Sequence, residues 1–485
     1  MLGRINPIIL LTCLQVIFAV PHDAFSSQPQ VIERDVAVIG GGAAGTFASV
    51  RLREDYNTSI VLIEPKSHLG GHVSTYLVPE TNTTLEYGVQ SYVQNGPEAD
   101  FFARFGVSTQ PFAARRLTPL NVEVTTGAVL GNYTAPSANA TNEAFGRWLA
   151  IVAKYESFLE PGYWDFPQPP NIPEDFLIPF QDFAKTHQLE AAVPRIIAIS
   201  GVGYGGIRDL LTLHIFQAFG ATLTRQVLEN RLLTQVGSNS LVYQRALALL
   251  SDDVLLSSTI QNVKRTGAGA EILVTQGTRQ YTIRAKRVLF TAPPSLATLA
   301  QYGLDKKETS ALSKWTIPAE FVAVAKVPCI PENTSVSFLP SAAAPSNQLA
   351  LKDWPYSLRL DSTGPTGSNL FRIIFGSNST LSAEEFKNIV TTSVHTLQEA
   401  GTIQGNCSVD FKAISDHTRP QWKLTSQQLK DGFVQELYSL QGYRATWYTG
   451  YAWAAPYSST VWAFTDDVLV RLLADLKQMN KAGQS

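Results

Sequence analysis

Residues 36–39, Val-Ala-Val-Ile, form a compact apolar run that ends on glycines. Ala44, Phe47, Ala48 and Leu52 then recur at helical spacing, and 56–59 is a polar turn. A second β-branched run, 60–63, ends at Glu64. Strand, turn, helix, turn and strand within about 30 residues is the size of a βαβ module. Further on, 254–263, 270–274 and 281–290 predict strands, with turns at 266–269 and 276–278. The apolar stretch 207–219 predicts a helix, and 465–479 predicts an amphipathic one. The stretch 161–179 is rich in prolines and aromatics and predicts irregular, surface-covering structure.

The glycines at the end of the first run have a fixed spacing. Gly40, Gly42 and Gly45, with Ala43 and Ala44 between them, read G-x-G-x-x-G. The first glycine allows the tight turn. The second lets backbone approach a pyrophosphate, and the third lets the helix pack on the sheet. The helix start offers free N–H groups and partial positive charge to the phosphates. Glu64 stands about 20 residues on, where a carboxylate accepts from ribose hydroxyls. Gly201, Gly203 and Gly206 repeat the spacing, but an apolar helix follows and no acid-ended strand appears. That second match predicts a loop beside the substrate rather than a nucleotide site. One dinucleotide site is expected, and no separate NAD(P)H domain.

Composition adds location. Of 485 residues, 16 % are charged and the net charge is −2, so nothing in the electrostatics favours a nucleic-acid partner. Arg4 followed by the apolar stretch 8–20 reads as a signal peptide over 1–24, with an uncleaved signal anchor as the alternative. After its removal no stable membrane span is expected. Asn-x-Ser/Thr acceptors occur at Asn57, Asn82, Asn132, Asn139, Asn333, Asn378 and Asn406. Cys329 and Cys407 remain in the mature chain, either as a disulfide or as two buried thiols. A secreted or secretory-lumenal glycoprotein is expected. No histidine cluster has metal-ligand spacing.

Further segments favour FAD over NAD. Gly70-Gly71-His72 follows Glu64, and Glu86-Tyr87-Gly88-Val89-Gln90 offers a glycine at a strand end. Ile260 lies in a later strand, and 290–294 reads Phe-Thr-Ala-Pro-Pro. Near the C-terminus stand Tyr448-Thr449-Gly450 and Ser459-Thr460-Val461-Trp462. This order of motifs resembles the flavin-containing amine oxidase superfamily, and within it fungal flavoproteins similar to beta-cyclopiazonate dehydrogenase. The resemblance implies an α/β (α+β) fold, with a Rossmann-type FAD-binding domain and a discontinuous substrate domain. Residues 34–110, 230–310 and 435–475 would build the first, and 111–229 and 311–434 the second. It also implies FAD contacts at Gly40, Gly42, Ala43, Ala44, Gly45, Glu64, Gly70, Gly71, His72, Gly88, Val89, Gln90, Ile260, Gly450, Ser459, Thr460 and Val461.

Three positions depart from the family pattern. His72 replaces its arginine. Tyr451 and Ala452 stand where a glutamate is usual. The family's lysine near flavin N5 has Val322 at its place, with Lys326 out of register. No cysteine lies in the C-terminal motif, so non-covalent FAD is expected. Lys326, Lys352, His72 and Tyr448 are the acid–base candidates, with a surface role the favoured competing reading of the two lysines. Tyr204, Trp447, Tyr448, Trp453, Tyr457 and Trp462 are candidates for the pocket wall, with core packing the competing role of each.

The expected activity is oxidation of a small organic substrate. Dehydrogenation of a C–N or C–H bond and oxidative ring closure in secondary metabolism both fit, with O2 as acceptor. A flavin-dependent isomerase and a non-catalytic flavin-binding protein are the alternatives.

Overall fold

The computed structural model describes residues 29–94, 96–201, 210–352, 356–405, 407–418, 421–422 and 424–482. The leader 1–24, Tyr204, Gly203, Gly206 and Asn406 lie outside the described residues.

Two sheets carry the architecture. The first has seven strands. Six run in the order Val254–Leu255, Ile60–Ile63, Gln30–Ile39, Arg279–Phe290, Ala270–Gln276, Ser258–Arg265, and Thr446–Tyr448 also pairs with Arg279–Phe290. Gln30–Ile39 is parallel to both of its neighbours. All four residues of Ile60–Ile63 are buried, as are the last four of Gln30–Ile39. Such runs are apolar throughout because both faces of a central parallel strand are covered. The helix Ala43–Val50 follows the glycine turn. The C-terminal helix Ser458–Ala482 packs on it, with Trp462 stacked on Phe47. The fold is therefore mixed α/β around a Rossmann-type core.

The second sheet has six strands, ordered Asp410–Asp416, Glu320–Lys326, Leu370–Ser377, Tyr356–Thr363, Thr334–Leu339, Thr118–Glu123. Alternation gives it two faces. Phe321, Ala323 and Ala325 point toward the helix Ala383–Glu399, which begins with a Ser382/Glu385 capping box. Val322 and Val324 point the other way, onto Val78, Leu85 and Tyr87 of the hairpin Thr75–Val78/Thr83–Glu86.

Several elements differ from the sequence expectation. The strand expected over 254–263 divides at Ser257, whose φ is 51°, and its halves join opposite ends of the strand order. The described part of 207–219 is the helix Thr212–Ala218. A second helix, Ala221–Glu229, starts after Gly220, where a Cβ would lie 2.1 Å from Glu160 Oε1. The stretch 161–179 is irregular, but Tyr163, Phe166 and Phe176 are buried in the main core rather than spread over the surface. The final helix starts seven residues before 465, at Ser458, and Thr460 Oγ1 ties its first turn to the preceding segment by donating to Ala455 O and Tyr457 O.

Candidate FAD site and comparison with known proteins

The glycine turn is enforced by contact. A Cβ on Gly45 would lie 1.8 Å from Gly40 O, and Gly40 holds φ 103°. Thr291 Oγ1 lies 2.9 Å from both Ile39 O and Gly40 O, bracing the turn from the neighbouring strand. Gly42 is open by comparison, since a Cβ there would meet only Gly71 Cα at 3.7 Å. That is the position where a pyrophosphate needs room. Glu64 is buried beside it and accepts from Gly41 N–H at 2.6 Å and Lys66 N–H at 2.8 Å. Each carboxylate oxygen keeps lone-pair capacity for a ribose hydroxyl.

Gly70 and Gly71 bring the next segment onto this turn. Their φ values are 122° and 59°, and Gly70 N–H donates to Gly41 O at 2.8 Å. His72 follows and leads to Gly88, where a Cβ would lie 2.2 Å from His72 O. Val89 O accepts from Asn239 Nδ2, and Gln90 Nε2 donates to Glu86 O. Ile260 lies two residues into the strand whose first residue, Ser258, donates its N–H to Glu64 O. This strand therefore starts beside Glu64.

The C-terminal motif closes on the same turn. Gly450, φ 106°, packs so tightly that a Cβ would lie 2.9 Å from Thr291 O and 3.8 Å from Ala44 Cβ. Ser459, Thr460 and Val461 form the buried first turn of the last helix. Trp462 Nε1 donates to Ala43 O at 3.0 Å, so the starts of two helices stand side by side. Both present N-terminal partial positive charge there. The tight Gly40/Gly45 turn, the space at Gly42 and the buried Glu64 carboxylate fit FAD.

The acid–base candidates separate. His72 is at the site. Lys326 is exposed at the far end of Glu320–Lys326, about 20 Å along the strand from Glu320 at 3.3 Å per residue. Val322, by contrast, packs on Tyr87, next to Gly88. Tyr448 sits in the core, its ring stacked 4.9 Å from Trp453 and tilted 5.9 Å from Phe290, and burial pushes its hydroxyl above the usual tyrosine range. Lys352 ends the turn Gln348–Lys352. Of the aromatics, Trp447 donates to Asp475, Trp453 and Trp462 are fully buried, and Tyr457 OH donates to Ala218 O. The helix Val193–Ser200 precedes the second glycine match, ending at Gly201 in the left-handed region. That match thus lacks the strand a dinucleotide turn requires.

Two residues at the site escaped the sequence reading. Arg372, on Leu370–Ser377, donates to Tyr87 O, Gln90 Oε1 and Gly88 O. A lone arginine inside the run Leu-Phe-Arg-Ile-Ile-Phe was its only signal. His417 follows Asp410–Asp416 and stacks on His72 with ring centroids 4.6 Å apart. Nothing local in the sequence marks it.

Comparisons with known proteins agree with this geometry. A family model for an NAD(P)-binding Rossmann-like domain matches residues 38–105. The chain is 30 % identical over 450 residues to the FAD-dependent oxidoreductase pigF of Monascus ruber, covering 92 % of each. It is 28 % identical over 445 residues to beta-cyclopiazonate dehydrogenase of Aspergillus flavus, covering 91 % of this chain and 93 % of that one. Among solved structures, a fatty acid isomerase from P. acnes aligns with TM-score 0.71 at 16 % identity, over 90 % of this chain and 98 % of its own. Cyclohexylamine oxidase from Brevibacterium oxydans aligns with TM-score 0.56 at 15 % identity, over 93 % of this chain and 100 % of its own. These two share the fold. The extent and identity of the match to the Monascus protein place this chain in the family of FAD-dependent oxidoreductases.

Proposed function

We propose that this FAD-dependent oxidoreductase dehydrogenates a small organic molecule at a C–N or C–H bond, including ring closure in secondary metabolism, and that O2 re-oxidises it. The observation that carries this reading is the close packing of three glycine segments at and beside the dinucleotide turn. Gly71 meets Gly42, Gly88 meets His72, and Gly450 meets Thr291. In this reading Gly40, Gly42, Gly45 and Glu64 hold the adenosine and pyrophosphate, and Gly88 and Gly450 border the flavin ring. The binding domain is assembled from 34–110, 230–310 and 435–475. Bound FAD supplies the hydride acceptor, and the protein orients the C–H bond and excludes water. The FAD is held non-covalently.

The experiment is spectroscopic. Purified protein is expected to show an oxidised flavin spectrum, and acid precipitation is expected to release the flavin. A panel of amines and indole-type compounds is then read by flavin bleaching without air and by peroxide release in air. Turnover with neither signal points to isomerisation and overturns the oxidase reading.

We also propose that the chain follows the secretory route, a reading supported by its cysteines and glycosylation acceptors. Cys329 and Cys407 form a disulfide with Cα atoms 5.1 Å apart. Asn57, Asn82, Asn132, Asn139, Asn333 and Asn378 are all exposed. Among the described residues no helix is long and apolar enough to cross a membrane. Endoglycosidase treatment of protein from a eukaryotic host is expected to raise its gel mobility. No shift would count against the placement.

A further inference from the structure

His72 and His417 come from segments 345 positions apart in the chain and meet face to face. Their rings are 4.6 Å apart and 18° from parallel. His417 is buried and its N–H donates to Glu320 O at 2.8 Å, which fixes it at the end of the second sheet. Its Cε1 would lie 3.1 Å from a Cβ on Gly88. Tyr451, the residue after Gly450, lies edge-on to His72 at 6.4 Å. Ser74 Oγ and Ser415 Oγ, 2.8 Å apart, tie the same two segments together two residues away on each side. The first glycine segment, the substrate-side sheet and the C-terminal motif therefore meet at the imidazole pair.

Several charged and ionisable groups among the described residues stand around the pair. Lys66 Nζ binds Gly71 O at 3.1 Å, and Arg372 binds Gly88 O. Tyr451 faces His72, Tyr87 precedes Gly88, Asp416 precedes His417, and Glu320 offers its backbone carbonyl. Two imidazolium charges stacked at this distance repel strongly. At an effective dielectric of about 20 the second proton binds on the order of several hundred-fold more weakly than the first. The pair thus resists carrying two protons at once.

We propose that His72 and His417 act as one proton-accepting unit at the flavin edge, taking the proton from an N–H or O–H group of the substrate. The inference rests on the dehydrogenation reading above. The substrate C–H bond breaks with its electron pair passing to the flavin, and the adjacent N–H or O–H proton goes to the pair. A C=N or C=O bond forms, so atoms and electrons balance. His72 thereby supplies what Lys326, far along its strand, does not.

The test uses the holoenzyme, with isotope-labelled histidine followed by NMR from pH 8 to pH 5, and with sulfite as a small flavin-directed probe. The wild-type pair is expected to take up one proton in that range. In His72→Gln and His417→Gln the paired titration is lost, and the sulfite Kd at pH 6, measured on the flavin-bound fraction, rises at least about 10-fold. Independent protonation of both wild-type rings above pH 5 overturns the proposal. So does sulfite affinity that neither substitution alters. Flavin that stays with acid-precipitated wild-type protein but not with His72→Gln also overturns it, because His72 would then be the attachment point. Wild-type protein without flavin fails the functional reading instead, while the paired titration stands as a separate result.

Discussion

Trp462 Nε1 donates to Ala43 O at 3.0 Å, which pins the C-terminal helix to the first residue of the dinucleotide helix. The indole is fully buried and lies among Phe47, Tyr92, Phe101 and Phe102. Trp462→Ala is expected to cost about 3–5 kcal/mol of stability through the cavity it leaves. Trp462→Phe keeps most of the packing and loses the bond, costing about 1–2 kcal/mol. Both variants are expected to bind FAD more weakly, because the bond aligns the two helix starts. Thermal unfolding and flavin fluorescence measure the two effects separately.

Gly45 and Gly42 predict opposite kinds of damage. Gly45→Ala forces a methyl into Gly40 O, so the turn itself must move, and an unstable or colourless protein is expected. Gly42→Ala meets no protein atom closer than 3.7 Å, so the apoprotein is expected to melt within about 1 kcal/mol of wild type. Its methyl instead occupies the approach of the pyrophosphate, and FAD affinity is expected to fall at least about 10-fold. Apoprotein melting and flavin titration distinguish them. Equal FAD affinity in Gly42→Ala would remove Gly42 from the phosphate site.

What the sequence shows and what it hides follow from contact order. Gly40, Gly42, Gly45 and Glu64 act within one local βαβ unit, so spacing alone exposes them. Gly70 and Gly71 are close enough to Glu64 to be read as its continuation. Arg372 and His417 act across more than 280 positions, on Gly88 and His72, and no local pattern encodes that register. The same limit explains Lys326 and Tyr448. Being a lysine on the right strand says nothing about which end faces the site. Standing two residues before Gly450 does not fix the direction of a ring. Boundaries failed where one residue overrides periodicity, as at Ser257 and Gly220.

Cys329 and Cys407 join the stretch between two strands of the second sheet to the stretch after its helix, across 78 positions. Closing a loop of that length removes about 4 kcal/mol of unfolded-state entropy in the chain-entropy model. The double substitution Cys329→Ala/Cys407→Ala is expected to lower stability by about 2–4 kcal/mol. Its flavin spectrum is expected to stay intact, since the bridge lies on the face of the sheet that carries Phe321 rather than Val322. Denaturant unfolding with and without reductant checks this. A reductant effect on wild type and none on the variant is the expected pattern.

His214 sets an acid limit on the fold. It is buried in the helix Thr212–Ala218, and burial pulls its pKa down to about 4 from an ordinary value of 6.5. The native state therefore holds the ring neutral while the unfolded chain begins to protonate it near pH 6.5. Below that pH the unfolded state binds more protons, so stability falls as the pH drops from about 6.5 to about 4. The loss across that window is roughly 2–3 kcal/mol. His214→Gln is less stable at pH 7.5 if its amide is poorly accommodated, but its stability is expected to change less between pH 7 and 5 than that of wild type. Urea unfolding at pH 7.5, 6.5, 5.5 and 5.0 supplies the slopes. Equal slopes in the two proteins would assign the acid sensitivity to other groups.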